Sequence, residues 1–110
     1  MVKIDNMLIS ARELNDALQK GELIQVIDVR EPYEFACGNI QSKHIPMGEI
    51  IERINEIPVE GKVVIMCRSG KRAEAVANLL RADFNRSNVL ILDGGIESWK
   101  VAIDPTLEVV

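Results

Sequence analysis

The run Cys67-Arg68-Ser69-Gly70-Lys71-Arg72 puts a thiol at the head of six residues that hold three cations and no acid. The apolar stretch Val63-Val64-Ile65-Met66 precedes it and Ala73-Glu74-Ala75-Val76-Ala77 follows, a pattern that reads as strand, tight loop and helix. A helix N-terminus already carries partial positive charge on unpaired N–H groups, so Arg68, Lys71 and Arg72 crowd unfavourably there unless an anion resides in the loop. Cys67 as thiolate is the natural anion, because backbone N–H groups between Arg68 and Arg72 can converge on its sulfur as a nest. A free cysteine titrates near ~8.5, and such surroundings can bring it below ~7, which makes a nucleophile at neutral pH. The competing reading is a structural cysteine at a strand end, which would have no use for the cations behind it.

Other residues with chemical potential divide between two readings each. Asp28 and Arg30, at the end of an apolar run, either orient the catalytic loop without touching substrate or form a structural ion pair. Cys37 reads as a buried small hydrophobe, with a resolving thiol that closes onto Cys67 under oxidation as the alternative. His44 reads as a rim or turn residue, with proton transfer as the alternative. One histidine and two cysteines cannot supply a tetrahedral zinc site.

Bulk properties narrow the function. A chain of 110 residues, 47% hydrophobic, suits one domain that buries its own core. The net charge is -4, and outside the six-residue run ten cations stand against seventeen acids. A surface acidic in general and basic at one point argues against nucleic acid or an anionic membrane as partner and for a small anionic ligand. Two cysteines are too few for a disulfide framework, and Met1-Val2-Lys3-Ile4-Asp5-Asn6 contains no apolar signal core. No stretch approaches membrane-spanning length. A reducing, cytoplasmic compartment is the expectation.

The elements that must position the thiol follow from periodicity. Ser10-Ala11-Arg12-Glu13 is a capping box, Ile9 and Leu14 stand at staple spacing, and Leu14, Ala17 and Leu18 form an apolar helical face closed by Gly21. Leu23 to Ile27 reads as a buried strand running out through Asp28, Val29 and Arg30, and Pro32 starts a short helix over Tyr33-Glu34-Phe35-Ala36. His44-Ile45-Pro46 is a short extended piece leading into a helix with Ile50, Ile51 and Ile54 on one face, stopped by Pro58. Lys62 to Met66 is a strand and Ala73 to Phe84 a helix. Asn88 to Leu92 is a strand, and after the Asp93-Gly94-Gly95 turn comes a helix containing Trp99. Alternating strands and helices with short connections imply an α/β domain with a mostly parallel sheet covered on both faces. Ligands of such sheets gather at the carboxyl ends of the strands, where Asp28, Arg30 and Cys67 fall.

These residues resemble the rhodanese family of sulfurtransferases over nearly the whole chain. Ile27-Asp28-Val29-Arg30-Glu31-Pro32-Tyr33-Glu34-Phe35 resembles its first signature, Cys67 to Arg72 its active-site loop, and Leu92-Asp93-Gly94-Gly95-Ile96 with Trp99 its C-terminal signature. The resemblance implies a single rhodanese domain over residues 1–110. It also implies a five-stranded, mainly parallel sheet with helices on both faces, the catalytic loop joining the fourth strand to the helix behind it. It implies that Cys67 takes a sulfane sulfur from a donor such as thiosulfate, holds it as a persulfide and passes it to a thiol, cyanide or a sulfur-carrier protein. Arg68, Ser69, Gly70, Lys71 and Arg72 would bind the small anionic donor, and no metal or organic cofactor is required.

Related phosphatases and arsenate reductases resemble a loop one residue longer, with arginine six positions after the cysteine; here that position is Ala73. The shorter loop is sized for a sulfur atom more than for a tetrahedral oxyanion. An oxyanion enzyme on the same scaffold, and a redox-sensing or sulfur-carrier-binding module with little turnover, are the two rival readings. Asn39 stands where the family usually has histidine, Ser42-Lys43 replaces a pair of small residues, and Ser69 stands where the two-domain thiosulfate enzymes have lysine. The tail from Gly94 to Thr106 also resembles the C-terminal rhodanese domain of adenylyltransferases that activate ubiquitin-like sulfur carriers. The alternative for the tail is a tryptophan and an Asp-Pro turn that simply end the last helix.

Overall fold

Strong local signals set most of the elements in the computed structural model, which describes residues 7–110. In chain order they are β1 (Leu8–Ile9), α1 (Ala11–Gln19), β2 (Ile24–Asp28), α2 (Pro32–Cys37), β3 (Lys43–His44), β4 (Lys62–Met66), α3 (Lys71–Phe84), β5 (Val89–Leu92) and α4 (Gly95–Ala102). The capping box opens α1 as expected: the Glu13 N–H donates to Ser10 Oγ at 3.1 Å and the Ser10 N–H donates to Glu13 Oε1 at 2.9 Å. Pro32 takes the first turn of α2, where its missing N–H leaves nothing unpaired. Met1–Asn6, read above for the lack of a signal core, lie outside the described residues.

The five strands form one sheet in the order β1-β5-β4-β2-β3, every pair parallel. Side-chain alternation along β4 assigns its two faces. Val63, Ile65 and then Cys67 pack with Ala73, Val76, Ala77 and Leu80 of α3, whereas Val64 and Met66 pack with Leu14 of α1 and with Ile96 and Trp99 of α4. Burying a Leu or Ile side chain of this kind stabilises by roughly 1.5–3 kcal/mol, so two opposed cores hold the central strand from both sides. Ile9 and Leu14, the staple pair, both lie in the α1/α4 core. The tail returns over that face, where Leu107 is buried and the backbone of Glu108 lies against Gly38.

Two local expectations are corrected, and one strand is present that the sequence did not announce. The strand β1, two residues long, carries no pattern of its own and exists through pairing with Ile91 and Leu92 of β5. The helix α3 begins at Lys71, two residues earlier than the apolar periodicity indicates. The segment after Pro46 is not an α-helix with Ile50, Ile51 and Ile54 on one face. It forms 3-10 turns at Met47–Glu49 and Ile54–Glu56, with Ile50 buried and Ile51 exposed. Gly48 and the β-branched isoleucines disfavour a regular helix, and Arg53 fixes the tighter winding by bonding Glu49 at 3.0 Å and Glu56 at 2.7 Å.

Candidate functional site

The strand β4 ends at Met66, whose carbonyl accepts the Val29 N–H at 2.9 Å, so Cys67 is the first residue free of the sheet. The loop then turns back at once. The Gly70 N–H donates to Cys67 Sγ at 3.1 Å and the Ala73 N–H, in the first turn of α3, donates to it at 3.3 Å. Gly70 precedes α3 at φ 122°, a conformation open to glycine and strained for other residues, and this lets the chain curl round the sulfur. Both donors favour negative charge on sulfur. Cys67 is only 1% exposed, so the thiol lies at the bottom of the cradle.

The loop is gripped from the opposite face of the sheet as well. The Ile96 and Glu97 N–H groups, at the start of α4, donate to the carbonyls of Cys67 at 2.8 Å and Arg68 at 3.1 Å. Gly95 lets the helix come this near: a Cβ there would stand 2.5 Å from the Cys67 carbonyl oxygen and closer still to that of Arg68. Sequence reasoning placed Gly95 in a turn and missed this contact. Its signal is the Gly94-Gly95 pair directly before a helix.

The three loop cations have different fates. Arg72 leaves the loop and reaches Glu34 of α2, donating from both terminal nitrogens at 2.7 and 2.9 Å. Arg68 lies 3.5 Å from the Glu97 carboxylate. Lys71 has no carboxylate partner within ion-pair reach among the described residues. Crowding of three cations is therefore relieved largely by carboxylates from α2 and α4, not by the loop anion alone that the sequence argument required. Ser69 is exposed beside Lys71.

Glu34, which sequence reasoning also missed, is almost fully buried. Hydrogen bonds from Arg72, with a further one from the Glu31 N–H, hold its carboxyl at about 2 against the opposing effect of burial. The same pair raises the Arg72 guanidinium above its ordinary range. Among the described residues Asp28 and Arg30 make no hydrogen bond or ion pair with the loop. They form a fully buried pair, with Arg30 Nη2 at 2.8 Å and Nε at 3.0 Å from the two Asp28 carboxylate oxygens. Arg30 also donates to the carbonyls of Glu34 at 3.3 Å and Gly38 at 2.9 Å, fixing the C-terminal end of α2. The result is a chain of contacts from β2 through α2 to the first turn of α3. His44 stacks on Phe35 with ring centroids 4.4 Å apart, and its Nε2 lies 2.7 Å from the Arg30 carbonyl. Cys37 is a half-buried free thiol at the end of α2.

A pocket of about 220 Å³ opens beside the loop, lined by Ser69, Lys71, Glu74, Asp93 and Gly94 with Leu8 behind them. It lies where β4 and β5 send their following helices to opposite faces of the sheet, the crevice in which open α/β folds bind ligands. Among the described residues no cluster of three metal-ligating side chains occurs, and no helix is long and apolar enough to cross a membrane.

The rhodanese-like domain model matches residues 10–102. The chain belongs to the rhodanese family. The chain is 40% identical over 93 residues to a sulfurtransferase of Allochromatium vinosum, covering 83% of this chain and 85% of that protein. It is 33% identical over 103 residues to the probable adenylyltransferase/sulfurtransferase MoeZ of Mycobacterium tuberculosis, covering 90% of this chain and 26% of that much longer protein. Its fold matches the crystal structure of a rhodanese-like domain protein from Staphylococcus aureus with a TM-score of 0.79 and 31% identity, over 94% of this chain and 97% of that one. Both sequence relatives carry sulfurtransferase in their names, one close to this chain in length and the other much longer.

Proposed function

We propose that residues 1–110 act as a single sulfurtransferase domain that carries sulfane sulfur on Cys67. The observation that carries this reading is the pair of backbone N–H groups, from Gly70 and Ala73, that meet at Cys67 Sγ. In the first displacement the Cys67 thiolate attacks the outer sulfur of a donor such as thiosulfate. A new S–S bond forms, the donor's own bond to that sulfur breaks, and sulfite leaves with the electron pair. In the second, an acceptor nucleophile takes the outer sulfur and the Cys67 thiolate departs. The acceptor is cyanide, a small thiol or a sulfur-carrier protein; likeness to a domain of MoeZ supports the last. The amides stabilise the sulfur anion that starts the cycle and the one that ends it, and the chemistry calls on no cofactor.

Arg68, Ser69, Gly70, Lys71 and Arg72 form the loop around the donor, and Asp28 and Arg30 support it through α2. The engagement of Arg72 with Glu34 disfavours an oxyanion enzyme on this scaffold, which would need that guanidinium turned to the substrate. Intact-mass measurement after incubation with a sulfur donor tests the reading. One added sulfur on the protein, lost on addition of cyanide and absent in Cys67→Ser, is the expected result. An adduct that persists in Cys67→Ser removes Cys67 from the mechanism, and a Cys37–Cys67 disulfide in place of the adduct favours the redox-sensing alternative.

A further inference from the structure

His44 is the single histidine of the chain, and the oxygen it faces fixes its chemistry. Its Nε2 lies 2.7 Å from the Arg30 carbonyl oxygen. A carbonyl only accepts, so Nε2 carries the proton and donates in the neutral and the protonated ring alike. That nitrogen therefore takes no part in proton transfer. Arg30 is fully buried, and among the described residues no other donor reaches its carbonyl. Without His44 a buried acceptor would be left unpaired, so the contact is strongly enforced.

The same ring holds α2. It stacks on Phe35 with the two planes 8° apart. The backbone that carries it is itself anchored, since His44 pairs with Asp28 and the Ile45 N–H donates to the Asp28 carbonyl at 2.9 Å. His44 thus pins the β2–α2 connection and one side of α2 to the sheet, while the Arg30 guanidinium pins the other end of the helix. Held between them, the first turn of α2 presents Glu34 to Arg72. Arg72 is the immediate neighbour of Ala73, whose N–H is one of the two donors to Cys67 Sγ.

On the premise that Cys67 carries sulfur as set out above, we propose that His44 is a positioning residue for that reaction. It acts through Phe35, α2 and the Glu34–Arg72 pair to keep the Ala73 N–H aimed at the sulfur. Loss of the ring lets α2 shift, loosens the first turn of α3 and weakens the preference for the sulfur anion.

Iodoacetamide alkylation of the Cys67 peptide, compared at pH 6.5 and pH 9.5, separates positioning from a merely structural role. At pH 9.5 an ordinary thiol is already about nine-tenths ionised, so the ratio of the two rates reports the anion preference and cancels changes in access. His44→Leu should lower that ratio about three- to tenfold and slow sulfur loading from thiosulfate by a similar factor in kcat, with KM little changed. His44→Gln keeps an amide donor for the Arg30 carbonyl and should recover a large part of both; His44→Phe keeps only the stack and should recover less. Leu18→Ala, which thins the core on the α1 face, is the control that should lose stability with the ratio unchanged. An unchanged ratio in every His44 variant that folds, or an equal fall in Leu18→Ala, would overturn the positioning role and leave sulfur carriage on Cys67 standing. A wild-type chain whose Cys67 alkylates like a free thiol and gains no sulfur would overturn both.

Discussion

Arg72 in the first turn of α3 and Glu34 in the first turn of α2 meet through two parallel hydrogen bonds, 2.7 and 2.9 Å long, across 38 positions of sequence. Glu34 is 4% exposed, so its carboxylate has surrendered water for this one guanidinium and the Glu31 amide. Replacing Glu34 by Gln keeps the shape and removes the charge. The expected loss of stability is about 1–3 kcal/mol, towards the lower end because Arg72 is partly exposed. Urea unfolding measures it, and a double-mutant cycle with Arg72→Met should recover most of the loss as coupling.

The same carboxylate gives the fold an acid-sensitive component. The Glu34 value falls from an ordinary 4.5 to about 2 in the folded chain. Because the folded value is the lower one, the contribution is fully present above about pH 4.5 and is lost as pH falls towards 2. Between pH 5 and pH 2 the urea midpoint of the wild type should fall more steeply than that of Glu34→Gln. Parallel slopes would remove Glu34 from the acid response.

Gly95→Ala should damage the loop from behind. Its φ of +62° strains any side chain, and the new Cβ would press on the Cys67 and Arg68 carbonyls. About 1–3 kcal/mol of destabilisation is expected, together with slower sulfur loading of Cys67 in the fraction that folds. Gly21→Ala, also at positive φ but with open space around its Cβ, is the control: it should lose stability while loading at the normal rate.

Arg30→Met should be among the most destabilising single changes, about 3–5 kcal/mol, because it strands the fully buried Asp28 carboxylate. Asp28→Asn/Arg30→Met should recover part of that loss in thermal unfolding, since no buried charge is left alone.

The parts of this molecule legible in its sequence are those governed by neighbours in the chain. The Ser10–Glu13 capping box, the Pro32 helix start, the apolar runs of β2, β4 and β5, and the thiol-headed loop all announce themselves within a few residues. Contacts made at a distance do not. Nothing beside Leu8 and Ile9 marks them as a strand, because their partners are Ile91 and Leu92. Arg72 reads as a free anion binder until the fold brings Glu34 to it. The acid three positions after the Glu31 helix cap was the available clue, since that position points back towards the chain and away from water. The Ile50-Ile51-Ile54 spacing failed for a different reason: Gly48 and the β-branched side chains weakened a helical pattern that periodicity alone favoured.

Both borders of the sheet are two residues long, β1 at one side and β3 at the other. A neighbouring polypeptide seeking to extend the ladder would find few open amides, and on the β3 side it would meet Lys43, already held 3.3 Å from Glu56. Brevity of this kind guards against edge-to-edge self-association. Among the described residues, the apolar parallel sheet at the centre of the fold is thus bordered on each side by a strand too short to template a further one.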